Sequence, residues 1–119
     1  MSKSPYPTKQ TKELFKAILA LKNEKEATAF FRDLLTLPEI SDFTQRFQIA
    51  KLLYQGNSYA KIARKLKAST TTVSRVAHWL FHGRSGYQLI LKRLFSKKGN
   101  LKNKNKSSSS SSGMNINLY

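Results

Sequence analysis

"SYAKIARKLKASTTTVSRVAHWL", residues 58–80, holds two short helical patterns with only three residues between them. Ile62, Ala63 and Leu66 make the inward side of the first, and Ala63 is small where a crossing helix must come close. Val73, Val76, Ala77 and Leu80 make the inward side of the second. A small residue in mid-helix, an apolar residue three later, a short turn, then apolar residues seven and ten beyond Leu66 is the order of a helix-turn-helix. The spacing predicts helices over about 59–66 and 70–81, the whole motif covering about 58–81. Asn57 or Ser58 caps the first helix and Ser69 the second, a hydroxyl accepting an otherwise free backbone N–H. Lys67 stands where such turns usually carry glycine, which predicts a left-handed non-glycine residue at a cost of roughly 1 kcal/mol. A plain helical hairpin with a tight turn can share this spacing, so charge and outward residues must distinguish the two.

The charge is lopsided. The 119 residues carry 22 Lys and Arg against 6 Asp and Glu, a net of +16, and every acid lies at or before Asp42. Residues 43–119 hold fifteen bases and no acid, which points to a polyanionic partner. Nucleic acid ranks first, an anionic membrane surface second, and a merely solvated basic face is the bland reading. The outward residues favour the first. Thr70, Thr71, Thr72, Ser74 and Arg75 are compact donors for a helix entering a major groove, and the threonine methyls suit thymine. Arg75 reaches a guanine edge or a phosphate, Lys61, Arg64, Lys65 and Lys67 lie along the backbone, and His78 faces phosphate or solvent.

Outward from the motif, the pattern stays helical. Residues 1–8, with Pro5 and Pro7, form a flexible arm, and residues 9–96 form one domain. Leu14, Phe15, Ile18, Leu19 and Leu21 predict a helix over about 10–22, and Asn23 with Glu26 caps a second running to about residue 37. Pro38 ends that helix or opens the next, which starts between 38 and 41, carries Phe43, Phe47, Ile49, Ala50, Leu52 and Leu53, and stops at Gly56. Ser85 and Gln88 have capping-box spacing ahead of a last helix over about 86–95. Its consecutive Leu89, Ile90 and Leu91 cannot share one helix face, so a second subunit is expected to cover part of it, as it is for the wide apolar faces of the first two helices. Residues 97–119, rich in Lys, Asn and Ser, are expected to be disordered.

Other chemistries find little support. With no cysteine there is neither a disulfide framework nor a thiolate metal site. No apolar run of about 18 residues and no signal-peptide core is present, so a soluble cytoplasmic protein is expected. His78 and His82 have metal-compatible spacing but no third ligand nearby, and no metal is expected. The six carboxylates form no acid/base pair and no Gly-rich phosphate loop occurs, so an enzyme is not expected.

Residues 35–91 resemble the YerC/YecD group of tryptophan-repressor-like proteins, most densely at "QRFQIAKLL", "ASTTTVSRV" and "GYQLIL". The resemblance implies an all-α, intertwined homodimer, a recognition helix over about 70–81 in the major groove of double-stranded DNA, and transcriptional regulation, most simply repression. In the tryptophan repressor two arginines flank the bound tryptophan, and a glycine and a serine leave room for it. By resemblance Arg46 and Arg75 take the arginine positions, Val76 the glycine position and Trp79 the serine position. Both replacements fill space, so neither free tryptophan nor a similar small ligand is expected as cofactor. Trp79 either fills the pocket itself or serves as a core or dimer-interface aromatic. The alternative of a different class is an RNA-binding or ribonucleoprotein accessory protein using the basic surface and tail, although stacking aromatics are not evident. A peripheral membrane or purely structural dimer is the third.

Overall fold

The computed structural model describes residues 5–99, and their regular structure is entirely helical. In chain order the helices are α1 (Lys9–Leu19), α2 (Glu24–Leu34), α3 (Leu37–Tyr54), α4 (Tyr59–Leu66), α5 (Thr70–His82) and α6 (Gly86–Gly99). The chain divides into two compact units after Asp42.

In the first unit each helix start has an identifiable cap. Thr8 Oγ1 accepts from Thr11 N at 3.0 Å. Asn23 Oδ1 accepts from Glu26 N at 2.9 Å, while Glu26 reaches back to Lys22 N at 2.9 Å. α2 ends at Leu34, earlier than the apolar pattern predicts, because Thr36 begins a new helix. Thr36 N donates to Glu39 Oε1 at 2.9 Å and Glu39 N to Thr36 Oγ1 at 3.2 Å, a reciprocal capping box. Pro38 therefore opens α3, in a first turn where no backbone N–H is required. The backbone N–H of Thr36, then its hydroxyl, holds the Glu39 carboxyl below its ordinary range. Neither α1 nor α2 buries a residue, and Leu14, Phe15, Leu19 and Leu34 stay exposed.

The second unit holds the core. Ile49, Ala50, Leu52 and Leu53 of α3 pack with Ile62 of α4, Val73, Val76, Ala77 and Leu80 of α5, and Leu91 of α6. The inward positions expected of the motif are thus the buried ones, with Ala63 and Leu66 half-buried against them. After α3 the chain turns at Gly56, whose φ of +90° suits glycine. Asn57 closes α3, its backbone N–H and its Nδ2 both donating to Leu52 O, which leaves Ser58 as the α4 cap.

Lys67 has φ 55° and ψ 42°, the left-handed turn expected, and Ala68 N donates to Ala63 O at 3.0 Å. Replacing it by glycine should relieve the strain of a Cβ in that conformation. Lys67→Gly is expected to raise the unfolding free energy by about 1 kcal/mol in urea titration. An unchanged or lower value would mean the lysine rests there without strain.

Two expectations at the C-terminal end are corrected. Ser85 and Gln88 make no capping box: Ser85 has φ 72°, and Gln88 Nε2 instead donates to Leu80 O at 2.7 Å, satisfying a terminal carbonyl of α5. α6 also continues to Gly99 rather than ending near residue 95, so the expected tail begins inside it. The rest of the expected tail, 100–119, and residues 1–4 of the expected arm lie outside the described residues. Between α5 and α6, Gly83 N donates to Trp79 O at 2.9 Å, and a Cβ at Gly83 would collide with that oxygen. Leu91 is buried while Leu89, Ile90 and Leu94 face outward, so the consecutive apolar residues do split between core and surface.

Candidate nucleic-acid interface

α5 presents its outward side from its first turn. Ser69 Oγ accepts from Thr72 N at 3.0 Å and lies 2.9 Å from Thr72 Oγ1, so the cap uses both hydroxyls. Thr72, expected among the groove-facing donors, is half-buried in this cap instead. Thr70, Thr71 and Ser74 are exposed, and their side chains make no hydrogen bond among the described residues. Together with Tyr59, Arg75 and His78 they line an open groove of about 510 Å³.

The electrostatics of this groove are one-signed. Arg75 makes no ion pair among the described residues, and no acid occurs anywhere after Asp42 to supply one. The His78 ring lies 5.3 Å from that of His82, one turn further along α5, tilted to it by 38°. Lys61, Arg64 and Lys65 of α4 and Lys67 of the turn are exposed but do not line the groove, and they have no side-chain partners among the described residues. An unpaired guanidinium and free hydroxyls in a concave surface, in a unit without acidic side chains, can bind a polyanion and donate to base edges.

Tyr59 is the lining residue that sequence reading omits. Helical periodicity sorts residues into inward and outward, and Tyr59 at the start of α4 is outward by that test. What periodicity cannot give is which outward residue of one helix meets the outward residues of the next. The only local signal is its place directly after the Ser58 cap, at the end of α4 that begins the motif.

The four expected ligand-pocket positions are not gathered by this groove, which takes in Arg75 alone. Val76 is fully buried in the core. Trp79 is 45% exposed, so it is not a core residue of the single chain. The Arg46 guanidinium lies 5.5 Å over the Phe43 ring, and its charge also acts on Tyr87. Burial raises the Tyr87 hydroxyl above its ordinary range and Arg46 partly offsets that. Among the described residues no group of three or more metal-binding side chains comes together, and no helix is long and apolar enough to cross a membrane.

Comparison with known proteins shows the family and the fold. The family model described as Trp repressor protein matches residues 9–95. YerC, an uncharacterized protein of Bacillus subtilis (strain 168), is 42% identical over 86 residues, which span 72% of this chain and 83% of YerC. The crystal structure of a TrpR-like protein from Eubacterium eligens superposes with a TM-score of 0.71 at 44% identity, covering 74% of this chain and 91% of that one. A second crystal structure, from Staphylococcus aureus, gives 0.68 at 46% identity over 71% and 85% of the two chains.

Proposed function

We propose that this chain, which belongs to the Trp repressor family, is a homodimeric, sequence-specific DNA-binding regulator of transcription that represses its targets in the cytoplasm. The observation that carries the reading is the α5 surface: Thr70, Thr71, Ser74 and Arg75 stand unpartnered in a concave groove, in a unit without a single acid. α5 enters the major groove, and Lys61, Arg64, Lys65 and Lys67 hold the flanking phosphates.

A second copy of the chain completes the fold. α1 and α2 bury nothing by themselves, and Leu19, Leu89 and Leu94 are at least half exposed, at 82%, 50% and 58%. Such apolar surface is far more stable when covered, and two-fold pairing sets the two α5 helices to meet successive major grooves about 34 Å apart. Trp79, exposed on the single chain, belongs to the dimer interface, and with Val76 filling the core the regulator works without free tryptophan.

Selection from a random duplex library at near-physiological salt, with RNA and single-stranded DNA as competitors, tests the reading. A palindromic consensus is the expected result, and preference for RNA or single strands would overturn it. On the selected duplex, Arg75→Ala is expected to cost about 1–3 kcal/mol and to relax preference at one position of each half-site. Unchanged affinity and preference would show that Arg75 does not read DNA.

A further inference from the structure

We infer that the groove recognises a half-site in which thymine is read through its 5-methyl group, chiefly by Thr71 with Tyr59 on the opposite wall, beside a guanine held by Arg75. The inference rests on the DNA-binding reading and names the base chemistry which that surface selects.

The lining has a restricted inventory. The six residues are Tyr59, Thr70, Thr71, Ser74, Arg75 and His78. Paired recognition of adenine calls for the donor and acceptor of a carboxamide, and recognition of the cytosine amine for a carboxylate. The lining offers neither, and no Asp or Glu occurs after Asp42 to be recruited by a small movement. Guanine presents two acceptors, which suit a guanidinium, and Arg75 is the one guanidinium in the groove. Thymine presents an acceptor oxygen beside a methyl group. Its complement is a donor hydroxyl beside an apolar carbon, and threonine carries both on one Cβ.

Placement singles out Thr71 and Tyr59. Thr71 lies one helical turn before Arg75 on α5, so the two side chains share a strip of surface and address neighbouring base pairs. Both hydroxyl and methyl of Thr71 are available, since its side chain makes no hydrogen bond among the described residues. Tyr59 stands on α4 and brings an aromatic ring to the same groove, so apolar surface faces it from both helices. A methyl group between them leaves water on both sides. Thr72 cannot serve in this way, because its hydroxyl is held in the cap by Ser69.

The test uses the full-length protein and the duplex enriched by the selection above. Each thymine is replaced in turn by deoxyuridine, which removes the 5-methyl group alone, and guanine by 7-deazaguanine. At one thymine of each half-site, removal of the methyl group is expected to weaken binding about four-fold, and about sixteen-fold when both half-sites are changed. Thr71→Ser keeps the hydroxyl and removes the methyl, so it is expected to lower the uracil penalty to about two-fold, the remainder being the contact with Tyr59. An enriched duplex that tolerates uracil at every position within two-fold would overturn the inference and leave the DNA-binding reading intact. If selection enriches no duplex, both fall. A uracil penalty that persists unchanged in both Thr71→Ser and Tyr59→Ala would also overturn it, since the methyl would then be read elsewhere.

Discussion

Raising the salt concentration from 50 to 200 mM is expected to weaken duplex binding about ten-thousand-fold, the largest single effect foreseen for this protein. In the proposed dimer each subunit would offer Lys61, Arg64, Lys65 and Lys67 to phosphate, all exposed and without side-chain partners among the described residues. A dimer therefore neutralises about eight phosphates, and counterion release gives a log–log slope near about −7. Fluorescence anisotropy at five or six salt concentrations measures it. Because phosphate carries no sequence information, Lys65→Ala should weaken all duplexes alike and make the slope shallower by about two, one for each subunit. A slope shallower than about −3 would mean that these cations do not lie along the backbone.

Leu80→Ala is expected to lower the unfolding free energy by about 2–5 kcal/mol. Leu80 is 1% exposed and is one of four α5 residues in the core, alongside Val73, Val76 and Ala77. α5 packs against both α4 and α6, and Leu80 shares one core cluster with residues of α3, α4 and α6, so the space its side chain leaves is bounded by several helices. The loss comprises transferred apolar surface and an unfilled cavity, which explains why the range is wide. Urea denaturation of wild type and variant at matched chain concentration is the proper comparison, because association contributes to apparent stability. A change below about 1 kcal/mol would show that the site repacks and that the core is looser than its burial indicates. The same substitution leaves every groove-lining residue in place, so any weakening of DNA binding measures how much the reading surface depends on a firm support.

The parts of the fold legible in the sequence are those that local chemistry determines. The Ser69 cap, the left-handed Lys67 and the inward set Ile62, Val73, Val76 and Leu80 all depend on neighbours within one or two turns. Helix ends were harder where two local signals compete. Leu34, Leu35 and Leu37 continue the apolar period of α2, yet the Thr36–Glu39 capping box overrides it and hands Leu37 to α3. Ser85 and Gln88 show the limit of motif spacing. The pair has the separation of a capping box, but Gln88 finds a better acceptor in Leu80 O, eight residues away and on another helix. The site divides in the same way. Thr70, Thr71, Ser74 and Arg75 follow from the outward face of one helix, whereas Tyr59 joins them only through the angle at which two helices cross. The loss of Thr72 from the reading surface depends on a side-chain bond to its own cap, which a pattern of residue types does not record.

That same Gln88 bond has a mechanical side. At 2.7 Å it pins the C-terminal end of the reading helix to the first turn of the helix that follows. The tie closes the bend between α5 and α6 beside Gly83, where a Cβ would meet the Trp79 carbonyl. Leu89, Ile90 and Leu94 are exposed on α6, so a partner that covered them would be joined through this tie to the helix that carries Thr71 and Arg75.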